Sequence, residues 1–88
     1  NMGRFYYELG KTAKGDAIMN DVAKQMVKSL NWYAGLTPKQ MRSASERIQN
    51  NMATLSNLLY FADHYKRKQI VGQYSGQFQA FTKIFHMQ

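Results

Sequence analysis

Few side chains in this sequence could perform catalysis or bind a metal ion. The chain has 88 residues, no cysteine and only two histidines, His64 and His86, so thiolate metal sites and cysteine nucleophiles are excluded. Asp63 and His64 are sequential, and on a helix their side chains diverge by about 100 degrees, which keeps them from forming an acid–base pair. The serines lie in no nucleophile-elbow pattern, and no glycine-rich phosphate loop precedes a predicted helix. We therefore expect a non-enzymatic protein without a metal or another cofactor.

The cationic side chains indicate a different chemistry, the binding of phosphate groups. Twelve Lys and Arg residues against five Asp and Glu give a formal net charge of +7 and a pI near 9.9, which is typical of nucleic-acid-binding domains. The densest cluster is Lys66, Arg67 and Lys68. If they are exposed, the aromatic rings beside it at Tyr65 and Tyr74 could stack on unpaired bases for about 1–3 kcal/mol each; a half-buried core position is the alternative for Tyr65. Alternatively, the three cations only complement the negative end of a helix macrodipole.

Other cations extend this surface if the helices that carry them converge. Lys24 and Lys28 are one turn apart on the polar face of one predicted helix, and Lys39 and Arg42 lie on the polar face of the next. The candidate nucleic-acid-binding residues are therefore Lys24, Lys28, Lys39, Arg42, Tyr65, Lys66, Arg67, Lys68 and Tyr74. Trp32, the only tryptophan, is open to two interpretations: a packing residue of the core, or an exposed platform for a base or a partner.

Apolar periodicity predicts that helices position these side chains. Apolar residues recur every three or four positions from residue 18 to 33 and again from 41 to 62, which is the spacing of an amphipathic helix. Between these runs, Gly35 can end a helix in the left-handed conformation, Thr37 can cap the next helix, and Pro38 fits its first turn. The two runs therefore predict a helical hairpin that packs its apolar stripes together.

The predicted fold is all-α. We expect one domain over residues 1–88, a small helical bundle built on an α-hairpin with helices at about 16–34 and 38–69. Short helical segments are expected before and after the hairpin. A chain of 88 residues buries only a modest core, so a large substrate cleft is not expected.

Three details of the predicted helix boundaries depend on one or two residues each. Asp16 is the expected N-cap of the first long helix because it directly precedes the apolar run. Asn50 and Asn51 are the weak point of the second, so a break into two helices there stays open. Gly72 and Gly76 bracket an expected turn before the last helical segment.

One segment of the chain resembles a known kind of protein. The sequence VKSLNWYAGLTPKQMRSASERI, residues 27–48, resembles a helix-turn-helix segment of phage and bacterial replication or recombination proteins, in which an aromatic-rich helix leads into LTPKQ. In size and charge the chain is also similar to the small accessory proteins encoded beside the recombination helicase of T4-like phages. The resemblance implies a role with single-stranded nucleic acid beside a helicase. It also implies structural roles for residues 36–40, with Lys39 able to touch phosphate.

Two functional hypotheses follow from these observations. The first is a non-catalytic accessory protein that binds nucleic acid, mainly single-stranded DNA and without sequence preference, in recombination, repair or replication. Its partners would be that nucleic acid and a helicase or another replication or recombination enzyme. The second is a protein–protein interaction module that regulates or assembles with a larger enzyme, or self-associates, through an apolar face such as that of Phe78, Phe81 and Phe85.

The sequence also predicts where the protein acts. No apolar stretch approaches the about 20 residues of a membrane span, and the N-terminus lacks a basic segment followed by an apolar signal core. We therefore expect no membrane partner and a cytoplasmic location, which includes the cytoplasm of a phage-infected host cell. The oligomeric state stays open.

Overall fold

The structure is a computed structural model that describes residues 2–86, and within this range it contains five α-helices and no β-strand. The helices are α1 (Met2–Glu8), α2 (Thr12–Ala34), α3 (Pro38–Ser43), α4 (Ser45–His64) and α5 (Lys68–Ile84). Helix α3 connects α2 to α4, a short turn connects α4 to α5, and α2, α4 and α5 pack pairwise against one another. The all-α prediction is confirmed, and the fold is an elongated three-helix bundle of 45 × 19 × 17 Å.

The connection between α2 and α3 forms largely as the sequence predicts. The Thr37 hydroxyl accepts a hydrogen bond from the Gln40 amide at 3.2 Å, and the Gln40 side chain accepts one from the Thr37 amide at 3.0 Å. This capping box, with Pro38 as the first helical residue, starts α3. Gly35 differs from the prediction, because its φ of −85° is right-handed. Its amide instead donates to the Trp32 carbonyl.

The predicted helix at 38–69 is wrong in its continuity, because the chain bends at two places. The first bend is at Ala44, which separates α3 from α4, whereas α4 runs unbroken through Asn50 and Asn51. The second is the turn after His64, where Lys66 adopts a left-handed φ of 59°. Neither bend contains Gly or Pro, so the usual breaker signals are missing.

The start of α2 also differs from the prediction. The helix begins at Thr12, so Gly15 and Asp16 lie inside its first turns and Asp16 is not the N-cap. Gly15 is buried because the ring of Tyr7 from α1 packs where a side chain would be. The glycine therefore marks the contact between α1 and α2 rather than a helix boundary.

Helix α5 is longer than the predicted terminal segment. Gly72 and Gly76 lie within it, on its exposed side, instead of forming a turn. Ile70, Tyr74 and Phe81 are buried on the opposite side. This packing outweighs the low helix propensity of glycine, which costs about 1 kcal/mol per residue.

The core lies along the line where α2, α4 and α5 meet. Its most deeply buried large side chains are Met19 and Leu30 of α2 and Leu55 and Leu58 of α4, which confirms that the two apolar stripes pack together. Among the described residues, no helix is long and apolar enough to cross a membrane. The same residues contain no group of three or more His, Asp or Glu side chains that could hold a metal ion.

Candidate nucleic-acid interface

The side chain of the only tryptophan, Trp32, lies in a cationic groove. Trp32, at the end of α2, is 67% exposed. A groove of about 340 Å³, here called the Trp32 groove, is lined by Trp32, Tyr33, Leu36, Lys39, Gln40, Ser43, Ala44 and Arg47. Its lining contains two cations and no carboxylate. Among the described residues, Lys39 and Arg47 have no ion-pair partner, so both charges are available to a ligand.

Two further cations continue this surface along α2. Lys24 and Lys28 are both exposed, and with Trp32 they follow the four-residue spacing that keeps side chains on one side of a helix. At 1.5 Å per residue, Lys24 lies about 12 Å along the axis from Trp32. The surface from Lys24 to Arg47 therefore combines four cations with one exposed ring.

Arg42 lines a different groove from Lys39 and Trp32. It lines a second, more apolar groove of about 450 Å³ between α3, the start of α4 and the end of α5. Lys39 and Arg42 line different grooves, although residues three apart on a helix are neighbours on its surface. Both side chains are exposed, so their joining in one cationic surface stays a prediction.

The predicted Lys66–Lys68 cluster lies at the other end of the bundle. Arg67 is half-buried and donates from Nε to Asp16 Oδ1 at 2.9 Å and from Nη2 to Asp16 Oδ2 at 2.6 Å. The Tyr7 hydroxyl donates to the same carboxylate at 2.7 Å. The hydrogen bond from Arg67 holds the pKa of Asp16 below its usual value. Arg67 therefore has a structural partner, and only Lys66 and Lys68 remain exposed for phosphate.

The two tyrosines predicted to stack on bases are both engaged by the protein. Tyr65 is half-buried, its ring centroid lies 5.1 Å from that of Tyr7, and its hydroxyl donates to Glu8. Tyr74 is only 2% exposed, so its ring cannot reach a base and that prediction is wrong. Burial raises the pKa of Tyr74, whose hydroxyl has no hydrogen-bond partner among the described residues.

The two cationic ends are too far apart to form one compact site. Asp16 marks the Lys66–Lys68 end of α2 and Trp32 marks the other, and these positions are about 24 Å apart along the helix axis. The acidic side chains also differ between the ends, because Glu8, Asp16 and Asp63 all lie near the Lys66–Lys68 turn. The Trp32 end has Glu46, in the first turn of α4, as its nearby carboxylate, so it carries fewer acidic side chains than the Lys66–Lys68 end.

Sequence reasoning left two residues of this surface out of the candidate set. Trp32 lies outside the apolar stripe of α2 and four residues after Lys28, which is a signal for exposure. Arg47 lies on the polar side of α4, but only the fold brings it beside Trp32.

Comparison with known proteins adds no assignment: no protein-family model matches the chain, and no curated protein or solved structure is significantly similar to it.

Proposed function

We propose that this chain is a non-catalytic nucleic-acid-binding protein that binds single strands, mainly single-stranded DNA, through the Trp32 groove and the adjoining lysines of α2. The observation that carries the proposal is the exposed indole of Trp32 beside Lys39 and Arg47. The net charge of +7 supports it, since electrostatic attraction supplies most of the affinity in binding without sequence preference.

The chemistry of the groove favours a single strand over a duplex. An indole can stack on any unpaired base for about 1–3 kcal/mol, whereas the bases of a duplex already stack on one another. Lys39 and Arg47 beside the ring are placed to neutralise the phosphates that flank such a base. Stacking combined with phosphate contacts discriminates poorly between sequences, so little base preference is expected.

The test uses Trp32 itself as the probe, because it is the only tryptophan. The full chain is titrated with oligo-dT and with a duplex of equal length at two salt concentrations. The proposal expects quenching of the indole emission by the single strand, weaker binding of the duplex, and an affinity that falls steeply with salt. Absence of binding at low salt, or binding without a change in the emission, would contradict it.

A matched pair of variants distinguishes base stacking at Trp32 from non-specific contacts that any exposed aromatic ring could make. Trp32→Ala is expected to weaken binding to oligo-dT by about tenfold or more, since it removes one stacked base. Tyr60 is equally exposed, at 67%, but lies near the other end of α4. Tyr60→Ala is therefore expected to leave the affinity unchanged, and equal losses in the two variants would argue against a site at Trp32.

Recombination, repair or replication, with a helicase or a related enzyme as partner, is the setting that we propose for this binding. Support for it comes from the resemblance of residues 27–48 alone. Co-purification of the chain with such an enzyme on an immobilised single strand, and its loss in Trp32→Ala, would test this setting. A chain that binds oligo-dT yet recruits no such enzyme would contradict it.

A protein–protein interaction module is the second candidate function. The apolar groove beside Arg42 favours it, because Ile84 on its rim is 43% exposed. The face of Phe78, Phe81 and Phe85 is less suited to this role than the sequence indicated, since Phe81 is buried in the core and stacks on Phe85. A protein partner would therefore contact this groove rather than an exposed row of phenylalanine side chains.

A further inference from the structure

We infer that the groove between α3, the start of α4 and the end of α5 binds an acidic amphipathic helix of another protein. This surface, here called the α3–α5 groove, is formed mainly by Pro38, Met41, Arg42, Ile48, Ile84 and Phe85. The inference rests on the second candidate function and does not depend on nucleic-acid binding, because the Trp32 groove shares no lining residue with this groove.

The size and lining of the groove fit apolar side chains of a partner. Its volume of about 450 Å³ lies within the range of sites that bury small ligands and admits roughly two or three apolar side chains. Ile48 is buried at its base, Met41 and Phe85 are half-buried, and Ile84 is exposed on the rim. An occupant would therefore cover apolar surface that now faces water.

The charge around the groove selects an acidic occupant. Arg42 belongs to its lining, which contains no carboxylate. Lys83 is exposed one residue before Ile84, and Glu46 is exposed one residue after the lining residue Ser45. Arg42 has no ion-pair partner among the described residues. Carboxylates on the polar side of a bound segment would meet these cations, which favours association and sets its orientation.

The form of the occupant follows from the elements that build the groove. Helices form its walls apart from Phe85 and His86, which follow α5 in a turn, and residues 2–86 contain no strand edge to which an extended peptide could add. A helix that places apolar residues at i, i+3 or i+4, and i+7 into an apolar groove is a recurring mode of recognition. An amphipathic helix with acidic residues between these anchors satisfies both the shape and the charge.

A second copy of this chain is a poor occupant. Each copy carries a net charge of +7, so association places like charges together. The exposed apolar pair Phe5 and Leu9 of one copy could supply anchors, but it is accompanied by exposed Lys11 and Lys14. Those cations would face Arg42, so a partner of the opposite charge is the better match.

The test measures binding of a designed peptide to the full chain. The probe is a labelled helical peptide of about four turns, with leucines at i, i+4 and i+7 and glutamates between them; the control peptide carries lysines in place of the glutamates. Fluorescence polarisation is expected to show saturable binding of the glutamate peptide, and NMR shift changes are expected at Met41, Ile48 and Ile84. No binding, or equal binding of the lysine peptide, would overturn the inference.

Variants in the two grooves are expected to affect peptide binding differently, and the difference locates the peptide site. Arg42→Gln is expected to weaken the glutamate peptide several-fold and Ile84→Gln by about tenfold, whereas Arg47→Gln in the Trp32 groove leaves it unchanged. Because Arg42 is exposed, its variant keeps the test valid even if Ile84→Gln alters the fold. Displacement of the peptide by oligo-dT, or equal loss in Arg42→Gln and Arg47→Gln, would place the peptide in the nucleic-acid surface and overturn the inference.

Discussion

The guanidinium of Arg67 binds both carboxylate oxygens of Asp16, a residue 51 positions earlier in the chain. This ion pair joins the start of α5 to the start of α2, and the Tyr7 hydroxyl adds α1 to the same carboxylate. One acidic side chain thus connects three helices at the end of the bundle where the chain turns from α4 into α5. The pair is about one-third exposed, so solvent reduces its strength without removing it.

Asp16→Asn is expected to lower the free energy of unfolding by about 1–2 kcal/mol at neutral pH, because it weakens charge-assisted hydrogen bonds at a partly exposed site. The pKa of Asp16 is lower in the folded state than its ordinary value of 3.8. Its stabilising contribution is therefore complete above the unfolded pKa and is lost as the pH falls through the folded pKa.

Denaturant titrations of both proteins from pH 7 to pH 2 test this sign. The difference in unfolding free energy should be constant above about pH 5 and shrink below about pH 4. A difference that stays constant down to pH 2 would show that the carboxylate acts through its shape rather than its charge.

Glycine substitutions are expected to have opposite effects in the two helices that contain them. A Cβ at Gly15 would overlap the ring of Tyr7, so Gly15→Ala should destabilise the protein by about 1–2 kcal/mol. A Cβ at Gly72 or Gly76 meets open space, so alanine there should stabilise the helix by up to about 1 kcal/mol each. Thermal unfolding followed by circular dichroism measures all three, and a stabilising Gly15→Ala would contradict the packing of α1 on α2.

These glycines also show what the sequence could and could not predict. Apolar periodicity correctly predicts α2 and α4, because one side of each helix must be buried over many turns. It misplaces the helix ends, because Gly15 serves a tertiary contact and Gly72 and Gly76 are held in α5 by packing on their other side. Local residue type carries no information about either effect.

The candidate site was predictable only in part, for a related reason. The charge of the chain and the polar position of Lys24, Lys28 and Lys39 can be read from the sequence. The pairing of Arg67 with Asp16 and the meeting of Trp32 with Arg47 depend on contacts between residues far apart in the chain. Such contacts require the order in which the helices pack, which a hydrophobic pattern does not specify.

Tyr74→Phe is expected to raise the free energy of unfolding by about 1 kcal/mol. The hydroxyl of Tyr74 is buried and lacks a hydrogen-bond partner among the described residues, and an unsatisfied buried polar group costs about 1–3 kcal/mol. Phenylalanine keeps the ring in the core and removes only that oxygen. Urea denaturation measures the change, and a destabilised Tyr74→Phe would contradict the absence of a partner for this hydroxyl.

Two double variants with the same charge change are expected to bind nucleic acid differently. Lys39→Gln with Arg47→Gln and Lys66→Gln with Lys68→Gln each lower the formal net charge from +7 to +5. The general electrostatic attraction is therefore weakened equally, and only the location of the lost cations differs. If the Trp32 groove holds two phosphates, the first variant should reduce the slope of log affinity against log salt by about 1.4, since each contact on a single strand contributes roughly 0.7.

Oligo-dT titrations over a range of salt concentrations measure both slopes. The second variant should lose some affinity at low salt but keep the slope of the unmodified chain, because Lys66 and Lys68 lie at the Asp16 end of α2, and Asp16 is about 24 Å from Trp32 along the helix axis. Equal slopes in the two variants would mean that the strand is held by the overall charge and not by a localised site. A larger loss of slope in the second variant would indicate that the interface lies at the Lys66–Lys68 end, as the sequence predicts.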